Sequence, residues 1–245
     1  RSAIGAGPAA ALNAMNNERP LAERVRLWRR LPPDLQTRLR ARVEAFLRRV
    51  PFTGAGGLEV DDSMRSSIAA QACLVTLGQS DDGYESLHGV TLHPDEFVVE
   101  ESFEDEDTGV VTEGWRALSG LAIDGDRIVL SWRDVQDAET RDDGYNVVIH
   151  EFTHFLEQTR PGGDPMAQLE LETAYAELCD TVDRGEPTLL DPYGTEDLAE
   201  FLAVSAELFF SLPCELRDHH PDLYRLLATS FALDPAAWPT DPSSL

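Results

Sequence analysis

The segment HEFTH at residues 150–154 constrains the fold of this chain more than any other stretch, because it sets two histidines four residues apart around a glutamate. It lies in an apolar-rich run, residues 145–156, whose spacing predicts a buried helix. Residues four apart lie on the same face of a helix. His150 and His154 can therefore present two ring nitrogens to one metal ion, with Glu151 beside them.

The H-E-x-x-H pattern is typical of zinc-dependent peptidases, which need two imidazole ligands, an open position for water and a carboxylate as general base. Asn146 can cap the start of the helix. The alternative is a structural helix in which the two histidines bind no metal. That alternative would leave the charge of Glu151 buried without a partner, which is costly.

A zinc site of this type uses a third protein ligand. An extended form of the motif has a histidine six residues after the second one, but Arg160 stands there. The remaining candidates are acidic residues and histidines further along the chain: Glu170, Glu172, Glu177, Glu200, Glu207, His219 and His220.

The apolar segment 197–210 fits the third ligand best, because Glu200 and Glu207 lie two helical turns apart on one face. One carboxylate could bind the metal while the other orients a ligating histidine, a role that Glu157 could also fill. The alternative is that both carboxylates lie at the solvent edge of an amphipathic helix. Thr195 is the predicted cap of this helix.

Several blocks of the sequence resemble those of the Mlc titration factor A-type zinc peptidases, also called glucose-regulated metallopeptidases. The blocks are IAAQACL at 68–74, LSW at 130–132, NVVIHEFTH at 146–154, DPY at 191–193, AEF at 199–201 and ELFF at 207–210. They follow the family's order over nearly the whole chain, which is far more specific than one short motif.

The resemblance implies a peptidase with one zinc ion held by His150, His154 and Glu200, with Glu151 as general base and Tyr193 as a donor to the oxyanion. It implies an α+β fold like that of the anthrax lethal factor catalytic domain: mostly helical, zincin-like, with a small mixed β-sheet beside the HExxH helix. Aminopeptidase action is one form of the expected activity. The resemblance also implies an alternative, a regulatory protein that sequesters a transcriptional repressor, with the zinc site structural or weakly active.

Charge is unevenly distributed along the 245 residues, whose formal net charge is −25. Residues 18–50 carry ten arginines against four acidic residues, and the rest of the chain is strongly acidic. Most of the surface should therefore repel nucleic acid, so the expected partners are peptides or proteins. The basic stretch predicts two helices, 21–31 and 34–50. These helices dock on the acidic body, dock on an acidic partner, or expose a solvated face with arginine stems lying on apolar surface.

Three scattered cysteines without CxxC spacing are typical of a reducing compartment, and no apolar run is long enough to span a membrane, so we expect a cytoplasmic protein. We expect one zincin-like domain over residues 18–235, between a flexible segment (1–17) and a proline-rich tail (236–245). Further helices are predicted at 64–77, 164–182 and 222–231.

Short strands are predicted at 90–92 and 96–99, and paired strands at 120–132. The acidic run 100–107 predicts a solvated loop. Because zinc peptidases of this type often bind extended substrate along an edge strand, Arg127–Ser131 is the predicted strand for that pairing.

Overall fold

The structure is a computed structural model that describes residue 28 and residues 30–81, 83–104, 111–123, 126–141, 143–159 and 164–238. For residues 99–104, 111–117 and 139–140 it describes the backbone alone. The predicted flexible segment 1–17, most of the predicted helix 21–31 and the tail after residue 238 lie outside these ranges.

Eight α-helices lie within the described ranges, together with two short 3₁₀ turns at Pro192–Thr195 and Pro235–Ala237. The helices are α1 (Pro33–Arg49), α2 (Asp62–Val75), α3 (Trp132–Thr140), α4 (Val147–Thr159), α5 (Pro165–Asp183), α6 (Leu198–Ser211), α7 (Pro213–His219) and α8 (Pro221–Phe231). The predicted helices at 34–50, 64–77, 164–182 and 222–231 are confirmed, with ends shifted by one or two residues.

The strands form two small sheets. The first is mixed and has the order β1 (Phe52–Gly54), β2 (Gly89–His93), β6 (Arg127–Ser131), β5 (Gly120–Ile123), with β5 antiparallel to β6 and the other pairs parallel. The second is the antiparallel hairpin of β3 (Phe97–Glu104) and β4 (Val111–Leu118). The mixed sheet lies beside α4, which packs against β5 and β6. The predicted fold class, α+β and mostly helical with a small mixed sheet beside the HExxH helix, is confirmed.

Two predictions about the sheets were wrong, one for an edge strand and one for a loop. Arg127–Ser131 is not an edge strand, because β6 hydrogen-bonds to β2 on one side and to β5 on the other. Among the described strands the edge nearest α4 is β5. Residues 100–104 belong to β3 rather than to a loop, because they pair along their length with β4. The rest of that acidic run, residues 105–107, lies outside the described ranges.

A buried aromatic cluster packs against the apolar face of α4. The ring of Phe152 on α4 lies 5.9 Å from that of Phe46 on α1 and 5.3 Å from that of Tyr84, which also contacts Phe155. The hydroxyl of Tyr84 donates to the carbonyl of Ala72 on α2 at 2.7 Å, so its polar end is satisfied in the core. Edge-to-face packing of this kind fixes the position of α4.

The basic helix α1 docks on the body of the protein. Arg42 donates to the carbonyl and hydroxyl of Thr76, and Arg38 donates to the carbonyl of Gln79. Thr76 is the C-cap of α2, where carbonyls are left without helical partners and cations are favoured. Of the alternatives for this stretch, docking on the body therefore holds for these two arginines.

The three cysteines are free, and Cys73 is fully buried in the core. No helix in the described part of the chain is both long enough and apolar enough to cross a membrane.

Candidate metal centre

Helix α4 brings the two histidines of the motif together. Its N-cap is Asn146, as predicted, whose side-chain oxygen accepts the backbone N–H of Ile149 at 3.1 Å. Val148, Phe152 and Phe155 bury one face, and the motif histidines lie on another, partly exposed one. The Nε2 atoms of His150 and His154 are 3.0 Å apart.

Helix α6 adds a carboxylate to this pair. Oε2 of Glu200 lies 3.0 Å from Nε2 of His150 and 3.4 Å from Nε2 of His154. The residue that caps this helix is Asp197, which accepts the backbone N–H of Glu200, and not the predicted Thr195, which belongs to the preceding 3₁₀ turn. Within the described residues, His150, His154 and Glu200 are the one group of three whose ligand atoms converge in this way.

The three side chains suit a zinc ion. Zinc holds nitrogen and oxygen ligands at about 2.0–2.1 Å, which in a tetrahedral site puts two ligand atoms roughly 3.3 Å apart. The separations of 3.0, 3.0 and 3.4 Å are close to that value. Oε2 of Glu200 is also buried without a well-directed hydrogen bond. A buried carboxylate oxygen that has ion-pair contacts but no well-directed donor is only partly satisfied, and a cation held jointly with the two histidines would complete its coordination.

Glu207 contacts the other side of the His150 ring. Its Oε1 lies 2.7 Å from Nδ1 of His150, and its Oε2 accepts the backbone N–H of Asn146. A carboxylate on Nδ1 places the ring proton there and leaves the lone pair of Nε2 free for a metal. The alternative candidate for this role, Glu157, is exposed two helical turns after His150.

The carboxylates also control the charge of His150. Burial lowers the pKa of its imidazole, but the adjacent Glu200 and Glu207 outweigh burial and raise the pKa to about 10. Burial acts to raise the pKa of Glu200. Contact with His150 and His154 outweighs the effect of burial and holds the pKa of Glu200 well below its usual range. Without a metal, His150 is therefore protonated and Glu200 is ionised, and the two side chains form an ion pair.

Glu151 is 6% exposed and lies beneath the start of β5. Burial raises the pKa of its carboxyl to about 7, against the opposing effect of the two histidines. A carboxyl whose pKa lies close to neutral pH can both accept and return a proton, which is the property of a general base that later acts as an acid.

Tyr193 lies in the 3₁₀ turn that precedes α6. Its ring centroid is 6.1 Å from that of His150, so the phenol is near the metal centre, and its side chain is partly buried. Asp191 fixes the turn by accepting the backbone N–H of Tyr193 at 2.9 Å.

A cavity of about 390 Å³ opens beside His150 and Glu151. One wall is the chain from Leu118 to Gly120, and another is the loop from Thr188 to Tyr193. Aliphatic side chains of α4 and α6 lie next to the polar side chains of the metal centre in the cavity lining. The aliphatic residues are Val147, Val204 and Leu208. The cavity can thus hold an apolar side chain next to the convergent trio.

Tyr145 is a wall residue that the sequence did not single out. Its hydroxyl bonds to the Ser119 side chain, and burial raises the pKa of the phenol well above its ordinary value, so it stays protonated. The signal that could have found it is its place directly before Asn146, the cap of the HExxH helix.

The other candidate ligands lie away from the centre. Glu170, Glu172 and Glu177 are exposed on α5, and His219 and His220 lie where α7 meets α8. Glu170, Glu177 and the two histidines line a second cavity of about 560 Å³, separated from the first by the loop Thr188–Leu190. They contribute no atom to the trio.

A model of the glucose-regulated metallopeptidase family M90 matches residues 10–232, nearly the whole chain and every part of the centre. The chain belongs to this family.

Curated relatives agree with the M90 assignment. Mlc titration factor A of Pectobacterium atrosepticum is 32% identical, with 91% of each chain covered. Mlc titration factor A of Salmonella paratyphi B is 31% identical over 82% of this chain and 80% of its own. An uncharacterised protein of Synechocystis, slr2042, is 30% identical over 88% of this chain and 82% of its own. This M90 protein is therefore a member of a metallopeptidase family, and its predicted resemblance is confirmed.

Proposed function

We propose that this protein is a zinc-dependent peptidase in which His150, His154 and Glu200 hold one zinc ion and Glu151 is the general base. The observation that carries the proposal is the convergence of the three ligand atoms within 3.0–3.4 Å of one another, with a buried Glu200 oxygen that lacks a directed partner. Membership in a metallopeptidase family supports it independently.

When bound, the zinc ion supplies Lewis-acid chemistry: it lowers the pKa of a water molecule and polarises the scissile carbonyl. Glu151 takes the proton of the attacking water and passes it to the leaving amine. Glu207 holds His150 in one tautomer through Nδ1. Tyr193 donates its hydroxyl to the oxyanion that develops on the former carbonyl oxygen.

We propose that the substrate binds as an extended strand along β5. This strand pairs with β6 on one side, and among the described strands none pairs with its other side. Unpaired backbone N–H and C=O groups at a sheet edge can bind an extended peptide regardless of its side chains. β5 also begins at the cavity beside His150, so a bound peptide would pass the centre.

We extend the proposal to aminopeptidase action. Asp191, Glu151 and Glu207 line the cavity, together with Asp143, which is paired with Arg141; within the described residues no arginine lines it. A free α-ammonium group is favoured by such an acidic lining. Hydrolysis of a short apolar peptide should therefore be faster with a free amino end than with an acetylated one. Equal rates would restrict the proposal to endopeptidase action.

The experiment that tests the peptidase proposal is hydrolysis of peptides by purified protein of known metal content. We expect about one zinc ion per chain. Chelation should abolish hydrolysis and added zinc should restore it, because a catalytic zinc ion with three protein ligands can be removed by a chelator and bound again. Protein that holds no zinc, or hydrolysis that survives complete metal removal, would contradict it.

We propose a regulatory protein partner as a second function. Several relatives bear the name Mlc titration factor A, and the resemblance implies a transcriptional repressor as the partner. Such binding need not use the metal centre. Co-purification of a repressor of this class with wild-type protein and with a double variant, H150A/H154A, separates the functions: binding that survives metal loss favours an independent regulatory role.

A further inference from the structure

The backbone at Gly120 lies against the carboxyl side chain of Glu151. A Cβ atom built on Gly120 would lie 2.4 Å from Oε1, 2.5 Å from Cγ and 2.6 Å from Cδ of Glu151. Real Cβ atoms essentially never come within 3.0 Å of another heavy atom. The contact involves the stem of the Glu151 side chain as well as its end, so rotation of the carboxyl group alone would not relieve it.

The conformation of Gly120 does not require a glycine. Its φ lies outside the left-handed region that favours glycine. The residue instead begins the regular strand β5, paired with Leu130 of β6. The preceding Ser119 is held as well, because its carbonyl accepts the backbone N–H of Ser131 at 2.7 Å. Space, rather than backbone freedom, is therefore the reason that a side chain does not fit at this position.

Neither partner of this contact can easily move. Gly120 is held by the ladder to β6, and Glu151 lies in the middle of α4 with 6% of its surface exposed. A methyl group at position 120 would force Glu151 into another rotamer. A general base must lie within about 2.6–3.2 Å of the proton that it takes, and a displacement of about 1 Å can cost a hundredfold in rate.

We infer that Gly120 is a positioning residue: its missing side chain is what allows the edge strand to close on Glu151 and to hold that carboxylate in the working rotamer. The inference rests on the proposed peptidase function for its kinetic consequence. The contact between the two residues itself does not depend on activity.

The kinetic test is Gly120→Ala, with Gly89→Ala as the matched control. Gly89 also begins a strand of the same sheet, but a Cβ there meets only Pro51, at 3.3 Å or more. We expect G120A to retain zinc, to change KM by less than about twofold and to lose about a hundredfold in kcat. We expect G89A to match the wild type. A raised KM with unchanged kcat would overturn the inference, because Gly120 would then make room for substrate; unchanged kinetics would also overturn it.

A stability cycle tests the contact without any hydrolysis. G120A should lower Tm in the wild-type background and should cause no further loss in the Glu151→Ala background, where the obstructing side chain is absent. An equal loss of Tm in both backgrounds would overturn the inference. If the wild-type protein proves inactive on peptides, the proposed function fails, while this cycle still decides whether Gly120 positions Glu151.

Discussion

The carboxylate of Glu207 lies 2.7 Å from Nδ1 of His150 and also accepts the backbone N–H of Asn146. One side chain of α6 thus binds both the first motif histidine and the start of the helix that carries it. Asn146 is itself held by Gln71 of α2, whose side-chain oxygen accepts from its amide at 2.7 Å. This buried polar network fixes the imidazole from the side opposite the metal centre.

We predict that Glu207→Gln weakens zinc binding about tenfold to a hundredfold, because groups that orient a ligating histidine contribute on that scale. Glutamine has one side-chain oxygen for the two donors that Glu207 contacts, the Asn146 N–H and the His150 Nδ1–H. Its NH₂ group would face the donor that the oxygen does not serve. Competition with a chelating dye measures the affinity. Glu215→Gln, an exposed carboxylate on α7, is the control; equal affinities of the two variants would show that Glu207 is not needed.

Glu151→Gln should keep zinc and lose about a thousandfold in kcat, within the range of 10²–10⁴ for general-base catalysis. The amide cannot accept a proton, whereas the three proposed ligands are unchanged. Metal content and hydrolysis should be measured on one preparation. Glu157→Gln, an exposed change on the same helix, is expected to behave as wild type. Wild-type turnover in E151Q would remove Glu151 from the proposed role.

Tyr193→Phe removes a hydroxyl and keeps the ring that lies beside His150. Loss of one donor to an oxyanion typically costs about 10²–10³ in kcat. We therefore predict a fall in kcat of this order, with zinc content and KM nearly unchanged. Steady-state kinetics over a series of substrate concentrations separate the two parameters. A rise in KM alone would mean that Tyr193 binds substrate and does not stabilise the oxyanion.

Zinc binding should release a proton from His150. Its pKa of about 10 in the metal-free centre means that the ring is protonated at pH 7, whereas a metal ligand must be neutral. The apparent zinc affinity should therefore rise with pH from neutrality and level off near pH 10. Titration calorimetry in buffers of different ionisation enthalpy counts the protons. Release of about one proton at pH 8 is expected, and binding without release would contradict the ion pair at this centre.

The local parts of the site could be predicted from the sequence. The four-residue spacing of His150 and His154 places them on one face of any helix, and Asn146 before an apolar run predicts its cap. Both follow from interactions within one or two turns of chain, which depend little on the rest of the fold. The family resemblance likewise selected Glu200 from the seven candidates for the third ligand.

Long-range packing decided the rest. Glu200 and Glu207 share a helical face two turns apart, and only the angle between α6 and α4 sends one carboxylate to Nε2 and the other to Nδ1 of the same ring. Strand pairing, which joins segments distant in sequence, made β5 the edge and placed β6 inside the sheet. That pairing also brings Gly120 against Glu151, a contact across 31 positions of sequence. Spacing along the chain determined which groups could act together, whereas the tertiary structure decided which of them meet, because packing between distant segments sets those distances.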